Sequence, residues 1–187
     1  MIDKLTFCRA ILLMLLPSLF FSSCLEIKEK KHHRKDKEIE KVISDITQNV
    51  KYKNTPDASA CDPNIWKYVY NPIRLEVVNA CMTVTGIIKE SSADDDGDQH
   101  MLLMLDAGQE NLLKKKNIKK KNGYLVIEAV CINNITLPKV AGACKGYANH
   151  VQIPILGAHV KVTGSYVIDS HNGWAEIHPI SKIEVIN

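Results

Sequence analysis

Residues 57–187 predict a mainly β domain, a small five-stranded barrel, and three observations predict it. The segment "RLEVVNACMTVTGIIK", residues 74–89, is long and rich in β-branched residues, with Met82, Val84 and Ile88 alternating with Thr83 and Thr85. Further short apolar or alternating segments follow, separated by turn-forming residues. The phrase Val84-Thr85-Gly86 recurs as Val162-Thr163-Gly164, and a glycine inside a strand suits the sharp curvature of a small barrel. A β-sandwich is the alternative. At about 130 residues the segment has the size of one ordinary domain.

Each element can be justified in turn. After the first strand, "DDDGD" (94–98) is a turn, because Asp and Gly are turn formers. "HMLLMLD" from His100 makes a second strand with both faces largely apolar, and "YLVIEAVC" (124–131) a third, with Glu128 as a lone acid inside it. "HVQIPI" (150–155) reads as a short edge piece, since Pro154 cannot donate to a ladder. "AHVKVTGSYVID" (158–169) and "GWAEIHPISKIEVI" (173–186) close the domain. A long bent strand, two more, a loop with short helix or turns and two closing strands resemble the OB-fold, a five-stranded Greek-key barrel.

The chain ahead of the domain is of a different kind. Residues 1–23 carry Lys4 and Arg9 and then an almost wholly apolar run, Ala10 to Phe21, too short to span a bilayer comfortably but typical of a secretory signal. The run ends Phe21-Ser22-Ser23-Cys24, which resembles a bacterial lipobox with Phe21 where leucine is commonest. Cys24 is then the expected lipidation site, and the domain a membrane-anchored lipoprotein of the cell envelope, outside the cytoplasm. Residues 24–56 read as a charged tether. His32 and His33 sit there in a solvated charge run, and Ile39, Val42, Ile43, Ile46 and Val50 recur at the spacing of a short amphipathic helix.

Four cysteines remain: Cys61, Cys81, Cys131 and Cys144. An even number in an exported domain points to disulfides. Three connectivities exist, and the expected one is Cys61–Cys81 with Cys131–Cys144, each closing a local loop. A loop near 15 residues contributes about 3 kcal/mol in the chain-entropy model. A four-cysteine zinc site lacks the close cysteine pairs it needs.

The ordered set "CMTVTG", "DGDQHMLLML", "LVIEAVC", "CKGY", "GAHVKVTGSYVID", "HNGWAEIHPI" resembles a family of uncharacterised prokaryotic secreted proteins with an OB-fold-like domain ending in an HGW-x-EIHP-type motif. The resemblance covers roughly residues 70–187. It implies the fold and export and carries no activity with it. Here Asn172 stands between His171 and Gly173, a departure at His171.

Net charge is only +3 and aromatic residues make up 6% of the chain, so nucleic acid is the less favoured partner. The one basic block, Lys114 to Lys121, is expected as a solvated loop. The candidate site residues are Asp98, His100, His171, Trp174, Glu176 and His178. In a strand, Trp174, Glu176 and His178 share one face, with Ala175 and Ile177 on the other, core-facing side. Three roles compete for them. They could close the barrel by pairing with one another. They could form a binding face for a glycan, a peptide or an envelope protein, the preferred function. Or they could ligate zinc as a metal-dependent hydrolase, which is the alternative. No HExxH or GxSxG element supports catalysis. An EF-hand fails on "SADDDGDQHMLL", because Leu103 stands where a bidentate glutamate is required, which leaves only a looser calcium site at the acidic turn.

Overall fold

The computed structural model describes residues 60–140 and 142–187 and, ahead of them, only Lys37 and Lys41, both helical and exposed. The signal, Cys24 and the tether helix expected from the sequence lie outside the described residues. Among the described residues no helix is long and apolar enough to cross a membrane.

Five strands close into a barrel in the order β1-β2-β3-β5-β4. They are β1 (Leu75–Ala93), β2 (Gln99–Leu105), β3 (Leu125–Ala129), β4 (His159–Asp169) and β5 (Ala175–Val185). β1 is long enough to pair with both β2 and β4, and β3 meets β5 in parallel through Val126↔Glu176 and Ile127↔Ile177. The strand order and the parallel closure are those of the OB-fold, and closure of the sheet sets the sandwich aside. Alternate residues fill the interior: Val84, Ile88, Met101, Leu103, Ile127, Val162 and Ile177 are all nearly inaccessible.

The two strand glycines are required by close approach. A Cβ on Gly86 would lie 2.2 Å from the Met104 carbonyl oxygen, and one on Gly164 2.4 Å from that of Pro179. The repeated Val-Thr-Gly thus marks where neighbouring backbones cross tightly.

Both expected disulfides are present, Cys61–Cys81 and Cys131–Cys144. Such bonds belong to an oxidising, extracytoplasmic setting. The first staples residues 61–74, mostly 3-10 turns, to the outside of the barrel. Trp66 anchors this segment: it is 1% exposed, packs in a second apolar cluster with Leu75, Val130 and Val167, and donates Nε1–H to Ser165 Oγ at 3.1 Å.

Two expectations are corrected. Residues 150–155 are not a strand. In a closed barrel each strand already has both neighbours, and Pro154 removes a donor as well. The lysine block is a helical turn, α1 (Lys115–Lys120), not an irregular loop. Asn117 accounts for the difference. It is fully buried, and its side chain accepts from the Lys114 and Ala175 N–H groups and donates to the Tyr124 and Ala175 carbonyls. One amide so ties α1 to the first residue of β5.

Candidate functional site

Side-chain alternation along β5 divides it as the sequence reading expects. Ala175 and Ile177 face the core, while Glu176 and His178 point out of the barrel. They are buried nonetheless, at 2% and 7% exposure. They sit in a cavity of about 360 Å³, walled partly by Val69, Tyr70, Asn71 and Arg74 from the stapled N-terminal segment. β2 contributes His100, β3 Glu128, the β1–β2 turn Asp94, Asp96 and Asp98, and the β4–β5 turn Asn172 and Trp174.

Register puts these groups together. Glu128 lies opposite His100, and Val126, two residues before it on the same face, lies opposite Glu176. His178 Nδ1 is 3.0 Å from Glu128 Oε2 and 3.2 Å from Glu176 Oε2. Trp174 Nε1–H donates to the other oxygen of Glu176. Above Trp174, Lys121 Nζ lies 4.2 Å from the ring centroid and donates to His100 Nε2 at 3.1 Å.

The opposite nitrogen of His178 is different. Nε2 is buried and has no hydrogen-bond partner among the described residues. Asp98 Oδ2 lies 3.9 Å from it, beyond hydrogen-bond reach. Asp98 itself is fixed by the Cys131 N–H, which donates to Oδ1 at 2.9 Å.

The electrostatics follow from burial and partners. Burial pushes the Asp98 carboxyl up to about 7, with His178 pulling the other way. Burial alone would lower the His178 imidazole, but Glu128 and Glu176 raise it well above its ordinary value. Glu176 is raised by burial. Glu128 is held low, because His178, His100 and Arg74 outweigh its burial.

Six carboxylates line the cavity (Asp94, Asp96, Asp98, Glu128, Asp169 and Glu176) against two fixed cations, Arg74 and Lys121. Arg74 is engaged by Asp169. The cavity therefore favours cations and hydrogen-bond donors over phosphate. Among the described residues, Asp98, Glu128 and His178 are the grouping whose ligand-type atoms all lie within 4.8 Å of one another. Asp94 and Asp96 are not in it.

Of the residues read from the sequence, Asp98, His100, Trp174, Glu176 and His178 meet in one cavity. His171 does not line it. Its side chain is turned out at an exposed position, and only its backbone serves, donating to Asp169 Oδ1 at 2.8 Å. Sequence reasoning missed the part played by Glu128, Arg74 and Asp169. Glu128 left the clearest trace, as an acid inside an otherwise apolar strand. Against known proteins, the chain matches no family model and no curated protein.

Proposed function

We propose that this chain is a lipid-anchored binding module of the cell envelope, and that the cavity on the β2–β3 face is its ligand site. One observation carries the reading. The cavity lies on the outer face of β2 and β3, between the β1–β2 and β4–β5 connections, which is where OB barrels take their ligands. The lipobox-like Phe21-Ser22-Ser23-Cys24 supports the anchor, and the two disulfides support an oxidising compartment.

The lining selects the ligand class. An aromatic face beside ordered carboxylates suits the apolar face and hydroxyl groups of a sugar, or a basic peptide, and it repels a phosphate backbone. A glycan is the better fit, because Trp174 offers a half-buried ring whose own N–H is already satisfied by Glu176. A second reading, a metal-dependent envelope hydrolase, is favoured by the imidazole set among carboxylates in an open cavity.

Titration calorimetry on the full chain with soluble cell-wall oligosaccharides, and separately with an oligolysine peptide, tests the proposal. Saturable oligosaccharide binding is expected, roughly ten-fold weaker in Trp174→Ala, a loss of about 1.4 kcal/mol. Asp94→Asn should weaken it less. Binding indifferent to both variants would place the ligand elsewhere and sink the pocket reading. Cleavage of the oligosaccharide would move the conclusion to the hydrolase.

A further inference from the structure

The floor of the cavity has its own chemistry. Asp98, Glu128 and His178 arrive from three separate elements: the end of the β1–β2 turn, β3 and β5. Each offers one ligand atom, and those atoms converge within 4.8 Å. Two carboxylates and an imidazole are a donor set for a divalent transition metal. An acidic cluster alone would mean little, since buried acids also pair and protonate.

The orphaned ring nitrogen is the second, independent observation. His178 Nε2 is buried, faces Asp98 at 3.9 Å and has no hydrogen-bond partner among the described residues. A buried polar atom left in this state destabilises the fold unless something pairs with it. The other nitrogen, Nδ1, is doubly served, by Glu128 and by Glu176. One carboxylate is enough for it, so Glu176 can hold Nδ1 while Glu128 is free to turn to an ion. Glu176 is suited to the task because Trp174 Nε1–H fixes its other oxygen. A histidine with one nitrogen donating to an anchored carboxylate and the other unpartnered is the arrangement that orients a metal-ligating imidazole.

Charge points the same way. Asp98, Glu128 and Glu176 put three carboxylates around a single imidazole, and the nearby Arg74 is spoken for by Asp169. Protons can compensate that excess, but a divalent cation does so without leaving Nε2 unpaired. The number of ligands narrows the ion. Calcium takes six to eight oxygens, more than this corner supplies. Zinc takes three protein ligands and leaves its remaining position open, here toward the cavity.

We propose that Asp98, Glu128 and the Nε2 atom of His178 form a zinc site at the floor of the cavity, with Glu176 as the positioning residue behind His178. The proposal deepens the pocket reading, since the open coordination position would face the bound ligand. It is tested apart from that reading, with zinc as the only probe.

The full chain, disulfides formed, is stripped with chelator, dialysed against buffered zinc at neutral pH and measured for bound metal. Wild type should retain one zinc ion per chain. Asp98→Asn and Glu128→Gln, close in shape to the originals, should each weaken binding at least ten-fold, and His178→Ala should abolish it. Glu176→Gln should weaken it roughly 10–100-fold, as loss of an orienting partner does. Two exposed histidines serve as controls: the double variant His150→Ala, His171→Ala should bind as wild type does. Near-ultraviolet circular dichroism verifies folding, and should His178→Ala not fold, the two carboxamide variants decide alone. Folded wild type without zinc would overturn the site. So would zinc retained in both carboxamide variants but lost from the control, which would mean adventitious surface binding. Calcium held more tightly than zinc would overturn the metal assigned. In every one of these failures, oligosaccharide binding measured in chelator still stands or falls by itself.

Discussion

Asp98 and Asp169 are two aspartates of one cavity with nearly equal burial, 3% and 2% exposed. One precedes β2 and the other ends β4, each at a turn that brings a glycine into the left-handed region: Gly97 at φ +94° and Gly173 at φ +78°. Their surroundings differ sharply. Asp169 accepts from the Arg74 guanidinium, from the His171 and Asn172 N–H groups and from the Asn172 side chain. Burial would raise its carboxyl, but these partners together hold it low. Asp98 has one backbone donor at the same carboxylate, from Cys131, and rises to about 7. Both are closed to solvent, but Asp98 is the more deeply set and has the fewer partners, and the two differences push its carboxyl the same way. Asp169 spends all its acceptor capacity on building the β4–β5 turn. Asp98 keeps capacity in hand, beside a histidine nitrogen that has no partner among the described residues. Polar groups left so in an otherwise satisfied structure are what a binding site looks like before its ligand arrives.

Either aspartate can be neutralised alone. Asp169→Asn removes the charge facing Arg74 and disturbs a carboxylate with four donor groups around it. It should destabilise the fold by about 2–4 kcal/mol, toward the low end because Arg74 is a third exposed. Asp98→Asn loses little that is satisfied and should change stability by less than about 1 kcal/mol. Urea midpoints of the two variants, measured in chelator, check the contrast. Equal effects would mean that the partners of Asp169 contribute no more to the fold than the single donor of Asp98.

The same pair predicts a pH profile with two limbs. Asp169 is lowered in the folded state, so its contribution is complete above the unfolded value, about 4, and fades as pH falls through the lowered one. Asp98 is raised, so between about 4 and about 7 the folded state binds more protons than the unfolded one, and stability falls as pH rises. His178, also raised, extends that decline above its unfolded value. Thermal unfolding in chelator from pH 3 to 8 should show Asp98→Asn flattening the upper limb alone and Asp169→Asn the lower limb alone. A variant that shifts both limbs together would show the two sites to be coupled.

Much of this molecule is legible in its sequence, for physical reasons that also mark the limit. Period-two alternation exposes β1, β4 and the two faces of β5, and short apolar runs bounded by turn residues expose β2 and β3. The close cysteine separations favour local disulfides, and both formed. Register is another matter. Glu128 joins His178 because β3 runs parallel to β5 with Val126 opposite Glu176, and no local pattern encodes which residue faces which across a barrel. The wall over the cavity was hidden for a similar reason. Residues 61–74 form 3-10 turns without periodicity, held by one tryptophan and one disulfide. In the lysine block, charge concealed a buried asparagine, and only the distant Ala175 beside it reveals the tie between α1 and β5.

The smallest predicted effect concerns His171, which sequence proximity groups with Trp174, Glu176 and His178. Two residues of turn separate it from Trp174, yet the turn winds around Asp169 and directs its side chain outward. What the site takes from this position is a backbone N–H, which any residue but proline supplies. His171→Ala should therefore shift the urea midpoint by no more than about 0.5 kcal/mol and leave oligosaccharide affinity unchanged. His171→Pro is the sharper member of the pair. It removes the N–H that Asp169 Oδ1 accepts and should cost about 1–2 kcal/mol, while Asp98, Glu128, Glu176 and His178 keep their contacts. An alanine variant as damaging as the proline one would bring the His171 ring into the site, and Asp169 would no longer be the residue that explains the turn.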